Sequence, residues 1–130
     1  MVRFFDPNDL IMPLGPNDRR VREDGQGAVI WLQGLHSEGV AIGFEALKRV
    51  EHPPGPTDIH EDLPRMMVTE DDREASIPCL RGTISSVGGR ILRFRGTYYV
   101  RVSDPSAAVT CSVRFLDFEL RLAFTVDDLT

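Results

Sequence analysis

Residues 78–126 read PCLRGTISSVGGRILRFRGTYYVRVSDPSAAVTCSVRFLDFELRLAFTV, and this stretch decides the fold. Apolar and polar residues alternate through most of it, which is the pattern of half-buried strands. Leu80, Gly82 and Ile84 lead through Val87 to Gly88-Gly89, a hairpin dipeptide with access to positive φ. Leu92 and Phe94 follow, and Gly96 is expected to make a second turn. Tyr98, Val100 and Val102 share one face, and Asp104-Pro105-Ser106 is a type I turn signal. Val109, Cys111, Val113 and Phe115 then alternate against Thr110, Ser112 and Arg114. At Leu116-Asp117 the apolar parity flips to Phe118, Leu120, Leu122, Phe124 and Val126. A one-residue bulge at a barrel corner would do this. A C-terminal helix using Phe115, Phe118 and Leu122 is the competing reading. Six or more short strands with tight turns predict an all-β domain, a small antiparallel barrel of about six strands, because closure removes exposed edges.

Upstream, Ala28 to Leu32 (AVIWL) reads as a short buried strand, and QGLHSEG at 33–39 as a turn. Val40, Ile42 and Phe44 alternate on the next strand. The following EALKRVE fits either a strand extension or one helical turn. HPPGP at 52–56 forbids a regular element, since proline lacks the amide donor. RMMVT at 65–69 reads as a strand between acidic loops. Residues 1–27, punctuated by Pro7, Pro13, Pro16 and Gly15, are expected to be an irregular N-terminal arm ahead of a barrel domain at 28–130. The arm carries Arg19, Arg20 and Arg22, whose planar guanidinium forks suit phosphate oxygens.

The 130 residues, 42% of them hydrophobic, suffice for one core without a staple. No apolar run approaches the ~20 residues that span a bilayer. The first ten residues lack the apolar core of a signal peptide. Cys79 and Cys111 are expected to be reduced, buried thiols of a cytoplasmic protein. Basic residues are fourteen Arg to one Lys, a hint of a GC-rich bacterial source. The net charge of −5 conceals a division. Residues 1–78 carry 8 basic and 15 acidic side chains, whereas residues 79–115 carry six Arg against Asp104 alone. The acidic total argues against non-specific nucleic-acid binding, so no nucleic-acid partner is expected. The arginines of the strands read as solvated outer positions of a sheet, with a local anion site as the alternative.

The chain has no phosphate-binding glycine loop, nucleophile elbow or histidine–glutamate zinc motif, and it is expected not to be an enzyme. Ser37 follows His36, but neighbours on a strand point apart, and a triad needs a third, orienting group. Glu51, His52, Asp58, His60, Glu61 and Asp62 have metal-ligand chemistry in a spacing that matches no known cage, so no metal is expected.

Three pieces in order resemble a PilZ domain: AVIWLQGLHSEGVAIGF, IPCLRGTISSV and YYVRVSDPSAAVTCSVRFLDF, together covering about residues 28–118. The resemblance implies a six-stranded antiparallel barrel and cyclic di-GMP as ligand, with an arginine loop at 19–22 and a polar turn at 37–39. This chain departs from the family's R-x-x-x-R motif, because Arg19 is followed four residues later by Glu23. It also departs from D/N-x-S-x-x-G: counted from Ser37, the acid position holds Leu35 and the glycine position Val40. The implied candidates are Arg19, Arg20, Arg22, Ser37 and Gly39, in a non-enzymatic binding or adaptor module with weak or no cyclic di-GMP binding. No cofactor is expected, a protein partner is, and oligomerisation is left open. The alternative reading is a small inhibitor or immunity-type protein whose acidic N-terminal half masks a basic partner.

Overall fold

The computed structural model describes residues 10–13, 19–23, 26–49, 64–87, 91–115 and 118–129. The chain is all-β and antiparallel. Its strands are β1 (Leu10–Pro13), β2 (Arg19–Glu23), β3 (Gln26–His36), β4 (Gly39–Arg49), β5 (Met66–Glu70), β6 (Arg73–Ile77), β7 (Arg81–Val87), β8 (Ile91–Arg101), β9 (Val109–Phe115) and β10 (Phe118–Phe124). A 3-10 turn, Val126–Leu129, follows. A six-stranded sheet has the order β1-β3-β4-β8-β7, with β2 also paired to β3, and a four-stranded sheet has the order β10-β9-β5-β6. β1 and β2 lie end to end along one edge of β3, at opposite ends of that strand.

Inner residues of both sheets form one core. On β8 every even residue from Leu92 to Val100 is buried and the odd ones are half-buried or exposed. On β9 the buried set is Val109, Cys111, Val113 and Phe115. The Phe94 and Phe115 rings join the two sheets at a centroid distance of 5.2 Å, and Phe44 meets Phe94 at 5.9 Å. Tyr98 is fully buried, and its hydroxyl donates to the Pro64 carbonyl at 2.5 Å. That bond gives the buried phenol a partner and pins the entry to β5.

Several expectations are corrected. The sheets do not close into a barrel. β6 and β7 are joined by only three residues, yet they are end strands of different sheets and do not pair. Within the stretch expected to be an irregular arm, Leu10–Pro13 and Arg19–Glu23 are strands, because the edge of β3 offers them backbone partners. β4 runs straight through EALKR to Arg49, each residue paired with β8. Gly96 makes no turn: it sits mid-strand opposite Gly82, and the Cys79 side chain fills the notch left by the two missing Cβ atoms. The apolar parity of β10 needs neither a bulge nor a helix. β10 returns along β9 with Phe118 opposite Phe115, so chain reversal puts both apolar sets on one face. A bulge does occur in β3, where Leu32 faces Ile42 and Gly34 faces Ala41, leaving Gln33 as the extra residue. It shifts the inward parity, so Leu35 joins the core.

Two turns behave as their residues dictate. Asp71 has φ 52° in the two-residue turn between Glu70 and Arg73, the left-handed conformation that hairpin turns require and aspartate tolerates. In the turn after β8, Ala107 N–H donates to Asp104 O, while Ser106 donates to the Asp104 carboxylate through its amide (3.0 Å) and its hydroxyl (2.7 Å). These bonds hold the Asp104 carboxyl below its ordinary pKa.

Candidate functional site

The Ser37 turn is a tight reversal. His36 faces Gly39 across the β3–β4 pair, which leaves Ser37 and Glu38 as its two central residues, both exposed. Gly39 is dictated by packing: a Cβ there would fall 1.9 Å from the Val100 carbonyl oxygen of β8. Val102 N–H donates to Glu38 O at 3.1 Å, so the turn is tied to the end of β8. His36 is 4% exposed, and its ring meets Tyr99 edge-on at 5.6 Å. His36 and Ser37 thus differ sharply in burial, as neighbours on opposite sides of a chain reversal do.

The arginine segment lies elsewhere. Arg19 is opposite Ile30, Arg20 opposite Val29 and Arg22 opposite Gly27, all on the first half of β3. Ser37 follows Ile30 by seven residues and Gly27 by ten, or roughly 23 and 33 Å along a strand. The register therefore does not bring the arginines to the Ser37–Gly39 turn.

A different grouping emerges on the outer face of the six-stranded sheet. Trp31 is opposite Gly43, which is opposite Thr97, which is opposite Arg81. A Cβ built on Gly43 would lie 2.3–2.7 Å from three atoms of the six-membered ring of Trp31. Near-equal distances to three ring atoms mean that the indole lies flat across Gly43. Ala41, one step along β4, is buried although it points outward, next to Tyr99. Trp31, His36 and Tyr99 thus form an aromatic floor over Gly43 and Ala41. Arginines flank it. Arg93 pairs with Glu45 at 2.9 Å, Arg95 reaches the same carboxylate at 3.8 Å, and Arg101 reaches Glu38 at 3.9 Å. Arg81, Thr83 and Ser85 are exposed on β7 beside them.

The sequence places Arg93, Arg95 and Arg101 at outer positions, as solvated charge or a local anion site. Sequence reasoning missed Trp31, which sat inside an apolar run. The signal was the glycine opposite it, and that pairing becomes visible only once the β3–β4 register is known.

The thiols offer no reactive group. Both cysteines are free, as expected, but only Cys111 is buried; Cys79 is half-buried. Burial pushes the Cys111 thiol up to about 12. Burial also raises Cys79, against the opposing pull of hydrogen bonds to the Thr97 and Arg81 carbonyls. The acidic and histidine-bearing cluster at 51–62 lies outside the described residues. Among the described residues, no group of three or more His, Cys, Asp or Glu side chains is arranged to hold a metal ion, and no helix is long and apolar enough to cross a membrane. No protein-family model matches the chain, and neither a curated protein nor a solved structure matches it.

Proposed function

We propose that this chain is a non-enzymatic, PilZ-like binding or adaptor module of bacterial signalling that acts in the cytoplasm through a protein partner and binds cyclic di-GMP weakly or not at all. The observation that carries the reading is the register of β2 on β3, which sets Arg19, Arg20 and Arg22 about 23–33 Å from the Ser37 turn. A ligand whose phosphates take the arginines and whose guanine edges take the turn needs both in one place. Leu35 supplies no acceptor for a guanine amine, and it is committed to the core. Losing one such hydrogen bond costs about 1–3 kcal/mol, or one to two decades of affinity.

Calorimetric titration of the purified chain with cyclic di-GMP tests this reading. The expected result is no binding tighter than about 10 µM. A tighter affinity that disappears in Arg20→Ala or Arg22→Ala contradicts it.

What supports the inhibitor or immunity-type reading is the β5–β6 hairpin, which lies in the acidic N-terminal half. Asp71, Asp72 and Glu74 are exposed at its tip and free strand, with Arg73 as the basic residue among them. A pull-down from the native host separates the two readings. Signalling proteins recovered by the wild type support the first; a basic partner lost on Asp71→Ala/Asp72→Ala supports the second.

A further inference from the structure

The described outer positions of β4, β7 and β8 carry Arg49, Arg81, Arg93, Arg95 and Arg101 against Glu45, with Glu38 of the adjoining turn beside Arg101. In a chain of net charge −5 this is a strong segregation. The acidic total does not cancel it, because charges more than about 10 Å away are screened at ordinary ionic strength. Alternate residues on one face of a strand recur every ~6.8 Å, so Arg93 and Arg101 are ~27 Å apart along β8. A small molecule does not reach both ends of such a strip, whereas an extended polyanion does. Glu45 holds Arg93 closely at 2.9 Å, whereas Arg95 and Arg101 make only long contacts. Arg95 is 63% exposed and only 3.8 Å from Glu45, and exposed pairs of this kind are weak enough for a phosphate to displace. The middle of the strip is aromatic: Trp31 lies flat over Gly43, with Tyr99 beside Ala41. A flat indole on β3, beside the arginine-bearing strands β8 and β7, suits a polyanion that carries planar groups. Duplexes hide those groups inside the stack, and single strands expose them. Thr83 and Ser85 add exposed hydroxyl groups along the same edge.

We infer that the outer face of the six-stranded sheet binds single-stranded nucleic acid, with Arg81, Arg93, Arg95 and Arg101 tracking phosphates and Trp31 stacking a base. This goes beyond the protein-partner reading and stands or falls independently of it.

The test uses the full chain and end-labelled single strands of about 15 nucleotides, DNA and RNA, within the usual site sizes for such surfaces. Anisotropy reads binding. Quenching of Trp31, the single tryptophan of the chain, reads stacking. The expected result is saturable binding at low salt that quenches the tryptophan. Its logarithmic salt slope should be about −3, for four phosphate contacts at ~0.7 each. Arg81→Ala/Arg95→Ala should weaken binding at least about tenfold and flatten the slope by about 1.4. Trp31→Leu should weaken binding about five- to hundredfold. Thr83→Glu, an exposed position that leaves packing untouched, should weaken it as well, which keeps the test decisive if Trp31→Leu fails to fold. Three outcomes overturn the inference: no binding at low salt; binding that survives Arg81→Ala/Arg95→Ala but is lost in Arg19→Ala/Arg22→Ala; or displacement of the label by polyglutamate as effective as by unlabelled strand, which would mark a site for acidic protein.

Discussion

The two sheets share a core, and their outer faces differ in kind. On the four-stranded sheet the outward residues are small or polar: Thr69, Thr110, Ser112 and Ala123, with Met67 as the exposed large apolar one. Its outer charges are two Arg and two Glu: Arg114 and Arg121 both reach Glu119, at 3.1 and 3.3 Å, and Glu74 stands opposite Thr69. Those bonds hold the Glu119 carboxyl below its ordinary pKa. On the six-stranded sheet an indole lies across a glycine, a histidine is buried against a tyrosine, and arginines outnumber carboxylates. A face that needs only to meet water requires none of this. The contrast teaches that inward residues secure the fold on both sheets alike, while one outer face is organised for something beyond solubility.

The largest expected effect breaks the contrast at its centre. Glycine in a strand is unfavourable by about 0.5–1 kcal/mol, so valine at Gly43 would ordinarily help. Here its Cβ meets the Trp31 ring, and Gly43→Val should destabilise by about 1–3 kcal/mol in urea unfolding, with a red shift of the tryptophan emission. Ser112→Val on the other sheet should change stability by no more than about 0.5 kcal/mol. Equal costs would mean that the two faces are not different.

A second prediction concerns the inner face both sheets share. The Cys111 thiol has a pKa raised by burial above its unfolded value, so its contribution to stability is complete below the ordinary thiol pKa of about 9. It is lost as pH rises from about 9 towards about 12. Over that window wild type should lose up to about 1.4 kcal/mol per pH unit more than Cys111→Ala does. Parallel pH–stability curves would show that the thiol does not titrate out of the core.

The smallest effects compare one carboxylate from each face. Glu119→Gln removes two surface ion pairs and should leave the unfolding midpoint unchanged. Glu45→Gln frees Arg93 and Arg95 and should tighten single-strand binding about twofold to fivefold. No change in affinity would place the ligand elsewhere.

What could be read from the sequence follows from where the signal is local. Alternation at Leu92, Phe94, Tyr98 and Val100 gave strand and face together, and Asp104-Pro105-Ser106 gave its turn. β6 was missed because Arg73, Glu74, Ala75 and Ser76 are exposed on both sides, so no hydrophobic period marks the strand. Gly96 was misread because the residue that fills its notch, Cys79, lies 17 positions earlier. Closure was misjudged for the same reason: whether β6 meets β7 depends on partners distant in sequence. A turn was legible near Ser37, but it was read over 33–39, whereas residues 33–36 continue β3 and only Ser37-Glu38 reverse the chain; Gly39 is required by Val100. The aromatic floor was not visible, since Trp31, Gly43 and Tyr99 share a face only through two strand registers.

The most direct test is amide chemical-shift mapping of the labelled chain titrated with a short single strand. The account predicts perturbations along β7 and β8, at the Trp31 indole and around Gly43, with Thr110–Arg114 and Glu119–Ala123 unmoved. Shifts on the four-stranded sheet, shifts confined to β2, or no shifts at all would contradict it.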